Sequence, residues 1–561
     1  MKSMRFALYL SGLGAAAVLS ACGGGGGGGA SASSAAPTGM VNVQVTDAPT
    51  TDFDHVWVTI REIRFHTSNA VAADDPGWLK YPLATPVSVD LAALNNGSLA
   101  PVFDGLTLPV GTYQQIRLVL VSDNAPLSSV AQAAGLTYND QVDWTDTSGS
   151  HFAPLEIPAP VQGIGINGTF TVSASAALNL VLDFDVGHDV VRFIHGGNNA
   201  YTLKPNLKYF DLSEVGAVTG SVATANLCTS AAAAAPTNCA YNLVIKAEQL
   251  SADGTYHMAT RYTTIRADGT FTLYPLRVPA GQASTTVDVL VRGRNMDTVL
   301  VRNVPVTAGT SPSSNPTILS STPLPLTLDT EYVANASAPL APTGSWINVY
   351  QTVSSISANE VPYEVRYRHV NPFTGIFTDN LPLSTGPLQL GSYVGGGAPT
   401  LVANTPVQGN GGFLVFASAP DYSRTEATSD PLLPVAQPAV ASFTLPALTV
   451  DPTVASADSI SGNVSEAVAG TYDSGYLVVV RMGTIIQTLP INNLLATNGG
   501  SFTIGNLPGG SAAKSLPGAY YYLYARVWNS ANPQGTKKRI DFSGFADLRT
   551  GSATGLNVTL N

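Results

Sequence analysis

The stretch Leu178–Gly187, LNLVLDFDVG, places Leu178, Leu180, Leu182, Phe184 and Val186 on one face and Asn179, Asp183 and Asp185 on the other. Side chains of a strand alternate between two faces, so a segment with this spacing buries its apolar residues together only as part of a sheet. The same period recurs at Val41, Val43 and Val45 and at Val56, Val58 and Ile60, with Asp47-Ala48-Pro49 as a turn between the two runs. Long helix-period segments are scarce, while the chain carries 53 glycines and 38 prolines. That combination predicts an all-β protein. A chain of 561 residues exceeds one sandwich core, so roughly three to five tandem β-sandwich domains are expected.

The first 38 residues do not follow the strand pattern. Lys2 and Arg5 precede an uncharged apolar run from Phe6 to Leu19, the length of a signal-peptide core and too short for a comfortable membrane span. It closes as Leu19-Ser20-Ala21-Cys22, which resembles the lipobox of bacterial lipoproteins. The resemblance implies cleavage before Cys22, diacylglyceration of its thiol and acylation of the new N-terminus. Two or three acyl chains anchor stably where one holds only marginally. Gly23 to Gly29 and the Ala/Ser residues after them read as a tether with a reach of roughly 20 Å. By the usual lipoprotein sorting pattern, Gly23 rather than Asp after the acylated cysteine implies delivery to the outer membrane. The expected location is therefore the outer membrane, facing either the periplasm or the outside.

Of three cysteines, Cys22 is then consumed by lipid, leaving Cys228 and Cys239. In an oxidising compartment the two are expected to form a disulfide, since two thiols without a nearby histidine make a poor zinc set.

The expected order is a signal at 1–21, the lipidated cysteine and linker at 22–38, and sandwiches at 39–212, 213–330, 331–455 and 456–561. Within the first sandwich, Thr46-Asp47-Ala48-Pro49, Val56-Trp57-Val58, Asp90-Leu91, Leu108-Pro109-Val110-Gly111-Thr112-Tyr113, Asp183-Phe184-Asp185 and Tyr201-Thr202-Leu203-Lys204-Pro205 together resemble the bacterial lipoprotein family called domain of unknown function 4382. The resemblance implies an exported β-sandwich and no assigned activity. A weak repeat follows. Val218–Val222, Thr343–Trp346 and Ile460–Val464 open three segments, each with a later glycine turn into phenylalanine: Asp268–Phe271, Gly411–Phe413 and Gly499–Phe502. The first and last segments resemble carboxypeptidase regulatory-like or transthyretin-like modules. Linkers are expected near Ser311 to Pro316 and Pro446 to Ser459.

Lys and Arg number 26 against 37 Asp and Glu, a net charge of −11, which disfavours nucleic-acid backbones as partners. The sequence has no H-E-x-x-H, nucleophile elbow or phosphate loop. Ser511-Ala512-Ala513-Lys514 matches S-x-x-K but lies in a glycine-rich turn with no K-T-G after it. His188 and His195 offer only a thin case for an active site. Asp47, Asp52, Asp54, Asp183 and Asp185 gather around two strand ends and could supply oxygens to calcium, although aspartate is also the ordinary turn residue. Tyr520, Tyr522, Tyr524, Arg526 and Trp528 share one face of a strand and could stack on sugar rings or dock a protein, unless a neighbouring domain covers them.

The expectation is a lipid-anchored, non-catalytic structural or ligand-binding envelope protein without a cofactor, its partners being the membrane and an envelope polysaccharide or protein. The alternatives are a calcium-dependent or glycan-binding adhesin and a polymer hydrolase without a recognisable motif.

Overall fold

The computed structural model describes residues 36–561 except 49, 51, 70, 124, 147, 196–197, 206, 229–237, 330, 338–344, 354–360, 371–375, 383–387, 405–412, 420–421, 427–439, 452–457, 482–483, 498, 506, 508–519, 532–537, 544 and 549–550. The signal, Cys22, nearly all of the tether and the S-x-x-K segment lie outside the described residues, as do residues 452–457 of the second expected linker and the start of the middle repeat. The described chain is almost entirely β, in several separate sheets, as the alternation requires.

The first domain is a sandwich. Its smaller sheet sets Thr38–Asp47 parallel to Leu178–Phe184 and antiparallel to Ala100–Pro109, with Lys208–Asp211 beyond Leu178–Phe184. Val43 faces Leu180 and Val45 faces Leu182 across the parallel pair. The larger sheet is centred on His55–His66, which pairs with Leu79–Asp90, Gly111–Leu120 and Gln141–Asp146. Val41, Val43, Val45, Ile60, Phe65, Leu118, Leu180, Leu182 and Phe184 meet in one core, each contributing roughly 1.5–3 kcal/mol of burial. The period-two reading of both strands therefore holds.

Three further modules share one strand order. In the second, Val215–Ser221 lies antiparallel to Thr270–Arg277 and parallel to Thr317–Ile318, while Tyr241–Leu250 pairs with His257–Thr264 and Ser284–Arg294. In the last, Ile460–Glu466 lies between Ser501–Ile504 and Ala553–Leu560, while Ser474–Arg481 pairs with Thr484–Pro490 and Tyr520–Trp528. The middle module repeats this with Glu331–Ser337 between Ile376–Pro382 and Val440–Thr444, and Trp346–Gln351 between Tyr363–His369 and Phe413–Ser418.

The middle repeat thus begins one strand earlier than the sequence suggested. Trp346 opens its second strand, and Phe413 opens its fifth rather than its fourth. Register explains the misreading. Gly220 lies opposite Phe271 and Gly462 opposite Phe502, but the equivalent pair in the middle module is Ala336 and Phe377, so the glycine signal is missing there. A Cβ at Gly220 would come within 2.6 Å of the Phe271 ring. The glycine makes room for the phenylalanine.

Two other expectations change. Ser311–Pro316 is no linker between domains: Ser311 and Ser314 exchange backbone hydrogen bonds in a turn that leads into the last strand of the second module. Leu388–Ser392 and Val402–Asn404 come after the fourth strand of the middle module in sequence, yet they extend the second module's sheet by pairing Leu388–Ser392 parallel to Thr298–Thr307. Cys228 and Cys239 are disulfide-bonded, closing the connection between the first two strands of the second module.

Candidate functional site

The polar groups nominated by the sequence gather mainly where the domains meet. Leu178–Phe184 turns its alternate face toward the second module. There Arg261, from His257–Thr264, donates to Asp183 Oδ1, to Thr46 Oγ1 at 3.0 Å and to the Asp47 carbonyl at 2.6 Å. Arg261 and Asp183 are both buried, and burial pushes the Asp183 carboxyl up while Arg261 opposes it. Asp47 is fully buried, accepts the Val186 N–H at 2.9 Å and is driven well above the usual carboxylate range by burial.

Asp185 caps the short helix Val186–Asp189 and takes the His188 Nδ1–H at 2.8 Å and the Tyr262 hydroxyl. Burial pushes this carboxyl up, but His188 and Tyr262 outweigh that and hold it below its ordinary value. Asp52 and Asp54 are exposed and elsewhere engaged, Asp52 with Arg368 at 3.5 Å and Asp54 with the Thr145 hydroxyl at 2.7 Å.

The calcium set of Asp47, Asp52, Asp54, Asp183 and Asp185 is therefore corrected. Arg261 already places a positive charge between Asp183 and the Asp47 carbonyl, and the two exposed aspartates point to other partners. Among the described residues no group of three or more His, Cys, Asp or Glu side chains is arranged to hold a metal ion.

Of these aspartates, Asp183 and Asp185 line a cleft of about 170 Å³ where three domains meet. His188 stands in its wall, stacked on Tyr367 with ring centres 3.7 Å apart and edge-on to Trp346 at 5.2 Å, both from the middle module. The same module's His369 donates through Nε2 to the Gly187 carbonyl at 3.0 Å, and burial lowers its imidazole to about 3. Glu364, also in the cleft wall, accepts from Lys246 Nζ, from Tyr241–Leu250, at 2.7 Å. Glu364 also accepts from Asn348 at 2.9 Å and gives its backbone N–H to Glu248 at 3.1 Å. Burial drives the Glu248 carboxyl well above its usual value, with the nearby Lys246 charge opposing it. The cleft has the carboxylates and the imidazole that hydrolysis would need, but each carboxylate of the set Asp183, Asp185 and Glu364 is held by a cation or hydroxyl from a neighbouring domain. His195 belongs to Val190–His195, paired with Asn198–Leu203, and its side chain is outside what is described.

The aromatic strip is likewise covered. Tyr520–Trp528 runs between Ser474–Arg481 and Lys538–Asp541, with Tyr521, Leu523, Ala525 and Val527 in the module's core. Its other face meets the first domain: the Tyr524 hydroxyl donates to Glu156 Oε1 at 2.8 Å, and Arg526 lies 3.1 Å from the same carboxylate. Arg539 lies 3.8 Å over the Tyr524 ring and donates to the Ile157 and Pro158 carbonyls at 2.9 and 2.6 Å. Tyr522 and Tyr524 pack with Ala159, Val478, Val480 and Ile485. Tyr522, Tyr524 and Trp528 are buried and Tyr520 is half-buried, so the set Tyr520, Tyr522, Tyr524, Arg526 and Trp528 is not a free ligand surface. Sequence reading missed Glu156, Arg261, Lys246, Glu248 and Glu364. Each occupies the apparent solvent face of a strand, and the one available signal was a charged residue inside a run of otherwise strong strand formers.

Residues 38–205 match the family described as Domain of unknown function (DUF4382). No curated protein matches the sequence. Among solved structures, two B repeat units of the collagen-binding protein of Staphylococcus aureus match at 11% identity over 93% of this chain and 99% of that one, with a TM-score of 0.12. A streptococcal ancillary pilin matches at 8% identity over 61% and 99%, with a TM-score of 0.12. The shaft pilin SpaA of Lactobacillus rhamnosus GG, as a double mutant, matches at 10% identity over 41% and 97%, with a TM-score of 0.16. Scores this low say nothing of what this chain does.

Proposed function

We propose that this protein is a lipid-anchored outer-membrane protein with a non-catalytic structural or ligand-binding role, in which the first sandwich domain is the hub clasped by three sandwich modules. The observation that carries the non-catalytic reading is the use of the candidate acid and base groups as ties between domains. Asp183 is held by Arg261, Asp185 by Tyr262, and Glu156 by Tyr524 and Arg526, each partner coming from another module. Groups fixed in this way are unavailable as a general acid or base toward an outside substrate without parting the domains. A bound ligand fits better in the three-domain cleft than on the aromatic strip, which is covered. The kinship of the second and last modules with carboxypeptidase regulatory-like or transthyretin-like sandwiches rests on their sequence resemblance, and their common two-sheet strand order is compatible with it.

The anchor rests on Leu19-Ser20-Ala21-Cys22 and outer-membrane sorting on Gly23. Labelled palmitate should enter the wild-type protein and leave Cys22→Ala unlabelled, with the variant moving to the soluble fraction. Retention of label and membrane association by Cys22→Ala would refute the anchor.

A further inference from the structure

The contact between the second and middle modules contains an amine, an amide and a carboxylate in one buried group. Lys246 is 2% exposed and Asn348 3%. Glu364 joins them: one carboxylate oxygen accepts from Lys246 Nζ at 2.7 Å and the other from Asn348 Nδ2 at 2.9 Å. The Glu364 carbonyl takes a second Lys246 hydrogen bond at 3.0 Å, and the rings of Tyr262 and Tyr367 stand 6.0 and 5.8 Å from Nζ. Glu248, fully buried, fixes the Glu364 backbone from the other side. Among the described residues, Asn348 Oδ1 and Glu248 Oε1 are buried without a hydrogen-bond partner.

As a purely structural tie this is a poor arrangement. A buried ion pair seldom recovers its desolvation cost, and each unsatisfied buried oxygen adds a further desolvation penalty. As a reactive group it is well composed. An amine and a primary amide lie on the two oxygens of one carboxylate, away from the water that would compete as nucleophile.

We propose that Lys246 and Asn348 become joined by an amide bond between Nζ and Cγ, with Glu364 as the proton carrier. Glu364 takes a proton from the Lys246 ammonium, and the freed lone pair attacks Asn348 Cγ. The Cγ–Nζ bond forms and the Cγ–Nδ2 bond breaks as Glu364 passes protons from Nζ to Nδ2. Two of the three ammonium protons leave with Nδ2 as ammonium, one stays on the new amide, and Glu364 ends as it began. The reaction needs no oxidant, reductant or second substrate. It replaces a buried charge with a neutral amide and links Tyr241–Leu250 of one module covalently to Trp346–Gln351 of the next. The linkage is independent of the lipid anchor.

The test is a peptide map of the full-length protein, purified and denatured. The expected result is a branched peptide joining Lys246 to Asn348, lighter than its two linear parts by one ammonia, with no tryptic cleavage after Lys246. Separate linear peptides, with Asn348 intact or deamidated, would overturn the proposal, and this readout on the wild-type chain needs no variant. Glu364→Gln and Lys246→Met should each yield only linear peptides, with folding checked by the Cys228–Cys239 disulfide peptide and circular dichroism. A branch that persists in Glu364→Gln would overturn the assignment of the proton carrier.

Discussion

The second and last modules share one strand order and the same glycine–phenylalanine contact, yet the outer faces of their larger sheets differ. In the second module that face carries Lys246, Glu248 and Arg292, all buried. In the last it carries Tyr522, Tyr524 and Arg526. By the alternation rule the first would be a solvated polar face and the second an exposed binding strip. Both are interfaces: the middle module covers one and the first domain covers the other. Strand period identifies which residues share a face, but not whether water or another domain lies against it.

The largest effect is expected where a hub contact loses its buried arginine. Arg261→Met leaves Asp183 buried without its partner, together with the Thr46 hydroxyl and the Asp47 carbonyl. Urea denaturation should show a loss of about 3–5 kcal/mol. A loss below 1 kcal/mol would mean that this interface opens easily in the native state.

Glycine substitutions sharpen the likeness between the two modules. Gly269 (φ +81) and Gly500 (φ +85) hold equivalent turns, and a Cβ would sit 2.5 Å from the Val222 carbonyl oxygen in one and 1.9 Å from that of Val464 in the other. Alanine at either position should cost about 1–3 kcal/mol. Gly254 (φ +72), where a Cβ meets nothing within 4 Å, should cost about 1 kcal/mol.

Acid should loosen the cleft. The ordinary histidine value is 6.5, but burial, aided by the nearby His188 and Lys204 charges, holds His369 at about 3. The unfolded chain thus binds a proton below 6.5 that the folded chain refuses until about 3. This group's contribution to stability therefore falls as pH drops through that window, by up to about 1.4 kcal/mol per pH unit. His369→Asn should remove that part of the slope in denaturation curves measured between pH 6 and pH 4 (about the middle of the window). An unchanged slope would contradict a buried neutral imidazole.

The smallest effect belongs to the last module. Tyr524→Phe removes one hydrogen bond to Glu156 but leaves Arg526 beside it, so about 0.5–1.5 kcal/mol is expected from urea curves.

The sequence showed the strands of the first domain clearly because Val41, Val43, Val45, Leu180, Leu182 and Phe184 obey a strict period and face one core. It also led to the bond between Cys228 and Cys239. It misplaced the middle repeat because Ala336 replaces the expected glycine opposite a phenylalanine. The candidate sites were only half legible. Asp183 and Asp185 do lie at a cleft, but the cation that meets Asp183 comes from Arg261, 78 residues away, and the carboxylate that meets Tyr524 comes from Glu156, 368 residues away. No local pattern encodes such a pairing, because it depends on how whole domains dock.

The central claim, that the outer sheet faces are internal interfaces, is tested most directly by a double-mutant cycle between Glu156 and Tyr524. Urea unfolding of wild type, Glu156→Met, Tyr524→Phe and the double variant should give a coupling of about 0.5–1.5 kcal/mol, since the two side chains share one hydrogen bond. Strictly additive losses would mean that the two residues do not touch in solution and that the last module's aromatic face is open to other partners.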